Sequence, residues 1–171
     1  MIQVYEVAKY IREQKGSGSA DMTVQKLCYY AQAWHLAWFD APLFVSRIEA
    51  WRDGPVCPEL YRAQKHDQAL LEGASSLPNQ QRLVVDRVLR TYGDRTALEL
   101  SDLTHREDPW RDARGDAKPH ESTTTTIFKD AIRTYFLSLT KSAEEWVESE
   151  TFDEALASSI EENRELLRRL A

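Results

Sequence analysis

The chain has 171 residues, enough for one domain and enough to bury roughly 70% of the surface that its unfolded form would expose. Its composition is that of an ordinary globular protein, 42% hydrophobic and 29% charged, with no apolar run of membrane-spanning length. A formal charge of −6 offers no general attraction to nucleic acid, and two cysteines, Cys28 and Cys57, do not make a disulfide framework. These bounds imply a cytoplasmic protein with reduced thiols.

The N-terminal segment MIQVYEVAKYIREQK lacks the apolar centre of a signal peptide. Val4, Val7, Ala8 and Ile11 lie at i, i+3, i+4 and i+7, which predicts an amphipathic helix from about Gln3 to Gln14. Gly16-Ser17-Gly18-Ser19 stops it. A second helix is expected from about Thr23 to Phe39, with Thr23 or Asp21 capping its first turn. Leu27, Tyr30, Ala31, Trp34, Ala37 and Trp38 cover more than half of its circumference, which places it at the centre of the domain. Ala41-Pro42 breaks it.

Residues Leu43 to Trp51, LFVSRIEAW, predict one or two short strands, and Gly54-Pro55 turns the chain. Pro58 suits the first position of a helix ending near Lys65. His66 to Asn79 reads as a surface loop holding a short helical turn. A long helix is expected from Asn79 to Tyr92, with Gly93 as its stop. Thr96 and Glu99 make a capping box for another helix reaching about Leu103, and Asp108-Pro109 is a cap-then-proline start. Gly115 to Thr126 is irregular. Ile127, Phe128, Ala131, Ile132, Tyr135, Phe136 and Leu139 predict a further amphipathic helix.

The last segment differs in charge. From Lys141 to Ala171 there are nine acidic and four basic residues, a net of −5, so residues 1–140 carry only −1. Thr151 and Glu154 form another capping box. Phe152, Leu156, Ile160, Asn163, Leu167 and Leu170 make a short heptad-like seam. Such a helix either folds back onto the domain or projects to bind a basic partner or a second copy of the chain.

No nucleotide-binding, nucleophile-elbow or zinc-protease motif is present. His35, His66, His105 and His120 lack ligand spacing. Cys28 and His35 share a helix face but are separated by about 10 Å along its axis, too far for one zinc without a third element. Cys57 would sit at a helix N-terminus, where the dipole lowers a thiol pKa. A nucleophile also needs a base, and nothing in the sequence brings His66 or His105 to it. No catalytic residue, metal or cofactor is therefore expected.

The segment Val24 to Tyr61 carries three tryptophans and three tyrosines. Its pattern "QKL-x-YYAQ-x-WHLA", "PLF" and "IEAW-x-x-GPV-x-PELY", followed by "LTH-x-E-x-PW" at Leu103 to Trp110, resembles the Panacea domain, also called the SocA-like or GepA-like domain. Cys28 stands where an aliphatic residue is usual in that family, and Asp53 where an aromatic one is. The resemblance implies a domain over residues 1–140, with 141–171 an acidic helical extension. It also implies an antitoxin that neutralises a cognate toxin by direct protein binding. The alternatives are a proteolytic adaptor that hands a toxin to a protease and, less favoured, a small hydrolase using Cys57 or His105. Low charge and the lack of a basic recognition helix argue against DNA binding by this chain alone. Self-association stays open.

The residue types most common at binding hot spots nominate Trp51, Arg52, Tyr61, His105 and Trp110 as partner contacts, with Phe152, Leu156 and Ile160 added from the tail seam. For Trp110 and His105 the alternative is a tight helix corner. There His105 would bond a backbone carbonyl or Glu107, Asp108 would cap a helix, and Trp110 would plug the core. For Glu49, Trp51 and Arg52 the alternative is a buried Glu49 paired with an Arg or His. The expected architecture is a mainly α, compact helical domain around a central apolar helix, with a small β-hairpin.

Overall fold

Helix α2, Asp21–Phe39, is the element about which the rest of the chain is arranged. The computed structural model describes residues 2–16, 18–142 and 154–170. In chain order the elements are α1 (Val4–Lys15), α2, β1 (Ile48–Trp51), β2 (Gly54–Val56), α3 (Pro58–His66), a 3-10 turn (Gln68–Leu71), α4 (Asn79–Tyr92), α5 (Ala97–Thr104), α6 (Asp108–Arg114), β3 (Thr126–Ile127), α7 (Lys129–Ser142) and α8 (Glu154–Leu170). The architecture is mainly α, with one small antiparallel sheet in the order β2-β1-β3.

Almost every residue of α2 is buried, because α1, α3, α4, α5, α7, α8 and β2 all pack on it. Its rings supply the contacts. Tyr30 stacks on Tyr92 of α4 at 4.1 Å, and Phe136 of α7 meets Tyr29, Tyr30 and Trp34 edge-on. Such edge and offset geometries suit the quadrupoles of aromatic rings. A helix buried on all sides must also satisfy the polar groups it carries in. Gln32 accepts from the backbone N–H groups of Leu43 and Phe44 (2.8 and 3.1 Å) and donates to the carbonyl of Phe44 (3.1 Å). One side chain thereby fixes the chain as it leaves the helix.

Several expectations need correction. Neither Thr23 nor Asp21 caps α2; the helix starts after Ala20 with no side-chain cap, and Thr23 is buried inside it. Asp21 instead pairs with Arg12 (3.0 Å) and Lys65 (3.4 Å). Residues Leu43 to Arg47 are not strand, since Gln32 uses the backbone groups that a ladder would need; the hairpin is Ile48–Trp51 against Gly54–Val56. Asp108 is not a cap either, as Glu107 holds the N-cap position of α6 with no side-chain bond. Gly93 does follow α4, but in a right-handed conformation (φ −63°).

The region expected to be irregular contributes the third strand, in which Ile48 pairs with Ile127 and Glu49 with Thr126. Arg114 holds the connection to it. Its guanidinium donates to the carbonyls of Ala50 (3.3 Å), Lys118 (2.8 Å) and Glu121 (2.8 Å) and to the Thr123 hydroxyl (3.3 Å), while lying 4.9 Å from the Trp110 ring. Helix α7 accordingly starts at Lys129. Ile127 is buried in the strand, and Phe128, expected on the helix's apolar face, is 73% exposed.

Helix α8 folds back onto α2 and α4. Ile160 is buried against Phe39 and Val84, and the Asn163 amide donates to the carbonyl of Phe39 (3.1 Å). The polar member of the predicted seam thus meets the C-terminal end of α2, where carbonyls lack helical partners. Phe152 and the capping residue Thr151 lie outside the described residues, and the side chain of Leu156 is not among those described.

Candidate functional site

The β1–β2 turn, the first turns of α2, one side of α3 and the segment 122–124 enclose a hollow of about 550 Å³. Trp51, Arg52 and Asp53 come from the turn, Met22, Gln25 and Lys26 from α2, and Tyr61, Gln64 and Lys65 from α3. The pairing of Trp51 with Gly54 across the hairpin sets the turn. Gly54 takes φ +104°, a conformation open to glycine, and its missing side chain is also needed sterically. A Cβ there would lie 2.6 Å from Thr104 Oγ1 and 2.8 Å from Lys26 Nζ.

The walls are positioned by hydrogen bonds from below. Trp51 donates through Nε1 to Glu49 (2.8 Å), which is buried and also accepts from Arg47 (2.8 Å). Glu49 is therefore paired with an arginine, as one sequence alternative expects. The Trp51 carbonyl accepts from Trp110 Nε1 (2.9 Å), and its ring meets Tyr61 edge-on at 4.9 Å. Gln25 binds both the N–H and the C=O of Cys57 (2.9 and 3.4 Å) and donates to Gln64 (3.0 Å), so α2 and α3 are tied where they meet the hollow. Arg52 and Asp53 face solvent and pair with each other through two bonds of 3.1 and 3.0 Å; that pairing is the main reason the Asp53 carboxyl titrates below the usual range.

Lys26 lies at the base of the hollow with 1% of its surface exposed. Its ammonium donates to the Pro55 carbonyl (3.0 Å), and among the described residues no carboxylate lies within ion-pair distance. Burial brings its pKa down to about 7, against the opposing pull of Asp53.

A second buried charge lies against α2, at the start of α6. Glu107 accepts hydrogen bonds from Tyr29 (2.9 Å) and Tyr30 (2.8 Å). Burial raises its pKa to about 7, although both phenol bonds favour the carboxylate. The phenols in turn are pushed above their ordinary range, by burial first and by Glu107 next.

The nominated partner contacts are thus placed in three groups. Trp51, Arg52 and Tyr61 come together at the hollow. His105 and Trp110 do not line it; they stack on each other at 4.1 Å, and Trp110 is buried. Among the described residues the His105 ring bonds neither a carbonyl nor Glu107. Its Nε2 is 3.4 Å from Ser101 Oγ, and burial, followed by the charge of Lys26, lowers its pKa. Ile160 is buried elsewhere, against α2 and α4. Cys57 is the N-cap of α3, yet its thiol titrates above the ordinary value because burial outweighs the helix terminus. Cys28 is fully buried and its thiol is raised further. Among the described residues no three His, Cys, Asp or Glu side chains gather as metal ligands.

Sequence reasoning missed Lys26, Gln25 and Gln64 at the site and Glu107 behind it. The usable signal was Gln25 and Lys26 standing next to each other in a helix that is apolar on most sides.

The chain matches the model of the family described as "Antitoxin SocA-like, Panacea domain" over residues 24–111. The chain belongs to this family. The matched span runs from the first turns of α2 to Arg111 in α6, and so includes the hairpin, Lys26, Glu107 and the Trp110 support. No curated protein and no solved structure matches the chain. No helix among the described residues is long and apolar enough to cross a membrane.

Proposed function

We propose that this Panacea protein is the antitoxin of a toxin–antitoxin pair and that it neutralises a cognate toxin in the cytoplasm by stoichiometric binding, without turnover. The observation that carries this reading is the family match over residues 24–111. The buried, alkaline-shifted thiols of Cys28 and Cys57 support it, since neither has the low pKa of a nucleophile. Trp51, Arg52 and Tyr61 are the proposed contacts, because they are the nominated residues that share a concave, partly apolar surface. His105 and Trp110 act from behind as supports. Residues 1–140 are the proposed domain and 141–171 an extension that braces α2 and α4 through Ile160 and Asn163. An interface of about 1,600 Å² would suffice for tight masking.

The test is co-expression with the protein encoded beside it. Growth arrest should be relieved, the two chains should co-elute in a fixed ratio, and toxin half-life should be unchanged. Relief accompanied by a shortened toxin half-life would make the chain an adaptor for proteolysis. No relief with either genomic neighbour would overturn the reading.

A further inference from the structure

The hollow beside the hairpin holds a cation, Lys26, that has no ion-pair partner among the described residues. Asp21 is taken by Arg12 and Lys65, and Asp53 by Arg52. Among the described residues Lys26 has the Pro55 carbonyl alone, one acceptor for three N–H donors. Burying an ammonium without a partner is costly, and a hydrophobic side chain of similar length would fill the same space without that cost. Part of the wall around it is apolar and aromatic, from Met22, Val56, Trp51 and Tyr61, and Ser122, Thr123 and Thr124 add hydroxyls on another side. The side chain at position 54 is absent where it would press on Nζ. A hollow with a buried cationic base and a partly apolar wall is complementary to a chain segment that brings one carboxylate and an apolar neighbour.

We propose that Lys26 is the anchor for a carboxylate of the bound toxin, an acidic side chain or the C-terminus, seated in the hollow with adjoining apolar residues against Trp51 and Tyr61. This rests on the antitoxin reading and specifies the chemistry of its partner. The charged groups that face Lys26 are Asp53 from the turn and His105 from α5, and neither ion-pairs with it. In the free protein the amine titrates near neutrality. An incoming carboxylate favours the ammonium, so binding takes up a proton.

The test uses the full chain with ¹³C-labelled lysine, followed by NMR. Three probes are titrated: acetyl-Leu-Leu-Gly with a free carboxylate, the same peptide as its carboxamide, and acetate. The free-carboxylate peptide should bind about tenfold or more tighter than the carboxamide, as expected for a hydrogen bond to a charged group. It should also move the Lys26 titration midpoint upward by about one pH unit or more. Equal binding of carboxylate and carboxamide would overturn the proposal, as would a Lys26 signal unmoved at about 20 mM peptide, a concentration that reaches very weak sites. Acetate binding as tightly as the peptide would reduce the site to a simple anion hole and overturn the polypeptide assignment. Lys26→Met should abolish the peptide preference at unreduced Tm. In the co-expression assay, neutralisation by wild type but not by a folded Lys26→Met supports the anchor. Neutralisation by both overturns the anchor and leaves the antitoxin reading standing, whereas failure of wild type itself counts against that reading alone.

Discussion

Glu107 and Lys26 are both buried against helix α2, but their surroundings differ. Glu107 is closed in, with two tyrosine hydroxyls on its oxygens and rings from α2, α4 and α7 around those tyrosines. Lys26 has one carbonyl and borders a hollow. Both groups are displaced toward neutrality by burial, from opposite sides. The carboxylate is finished within the fold, and its role is to fix how α2, α4, α6 and α7 meet. The ammonium is left unfinished at a surface where something else can complete it. A satisfied buried charge points to architecture; an unsatisfied one beside a cavity points to recognition.

The largest expected effect comes from breaking the closed site. Glu107→Ala leaves two buried phenols without an acceptor and opens a void, and should cost about 3 kcal/mol or more by urea denaturation. For a domain of this size that is a fall in Tm of about 6–12 °C.

The second effect is the pH dependence that the two charges impose. Glu107 has a folded pKa raised to about 7 from 4.5. The folded state therefore holds more protons than the unfolded state between those values, and stability falls as pH rises through the window, by about 3 kcal/mol. Lys26 has a folded pKa lowered to about 7 from 10.5. Here the unfolded state holds more protons, so stability rises with pH above 7. The two together place a minimum of stability near neutral pH. Thermal scans from pH 4.5 to 10 should show it, and Glu107→Gln should flatten the acid limb alone.

A smaller effect is expected at the open site. Lys26→Met should raise stability at pH 7 by about 1–2 kcal/mol, as when a buried charge is exchanged for a well-packed apolar side chain, and should flatten the alkaline limb. A drop in stability would mean that the Pro55 bond outweighs desolvation.

Smallest in stability is Arg52→Ala. The Arg52–Asp53 pair faces water, so Tm should not move measurably, while affinity for the toxin should fall. Unchanged affinity would remove Arg52 from the proposed contact surface.

Much of the frame was legible in the residues. The span Asn79 to Tyr92 is recovered as α4, Pro58 opens α3, and the Thr96–Glu99 capping box is formed reciprocally. These signals are local, written within a few residues of the element they govern. The cap misses at α2 and α6 were local, each a boundary displaced by one or a few residues, and the misses that changed the architecture were non-local. Strand β3 is two residues long and exists because Arg114 holds the preceding loop to β1. The extended reading of Leu43 to Arg47 failed because Gln32, eleven residues upstream of Leu43, uses that backbone. Trp51, Arg52 and Tyr61 were legible as recognition types, and the structure brings them together. Lys26 was not legible, since a lysine in a helix is ordinarily solvated and its burial depends on the hairpin folding over it.

The Arg114 clamp has a consequence for handling the protein. The loop from Gly115 to Thr125 has no regular secondary structure and displays Glu121 to solvent ahead of Ser122, the description of a favourable site for a glutamyl endopeptidase. Yet its carbonyls at 118 and 121 are tethered to a guanidinium that is itself buried. Cleavage requires the strand to detach and enter the protease cleft, so a clamped loop stays intact while the domain is folded. With Gln at position 114 the same loop should become the first place where limited digestion cuts, separating α7 and α8 from the rest of the chain.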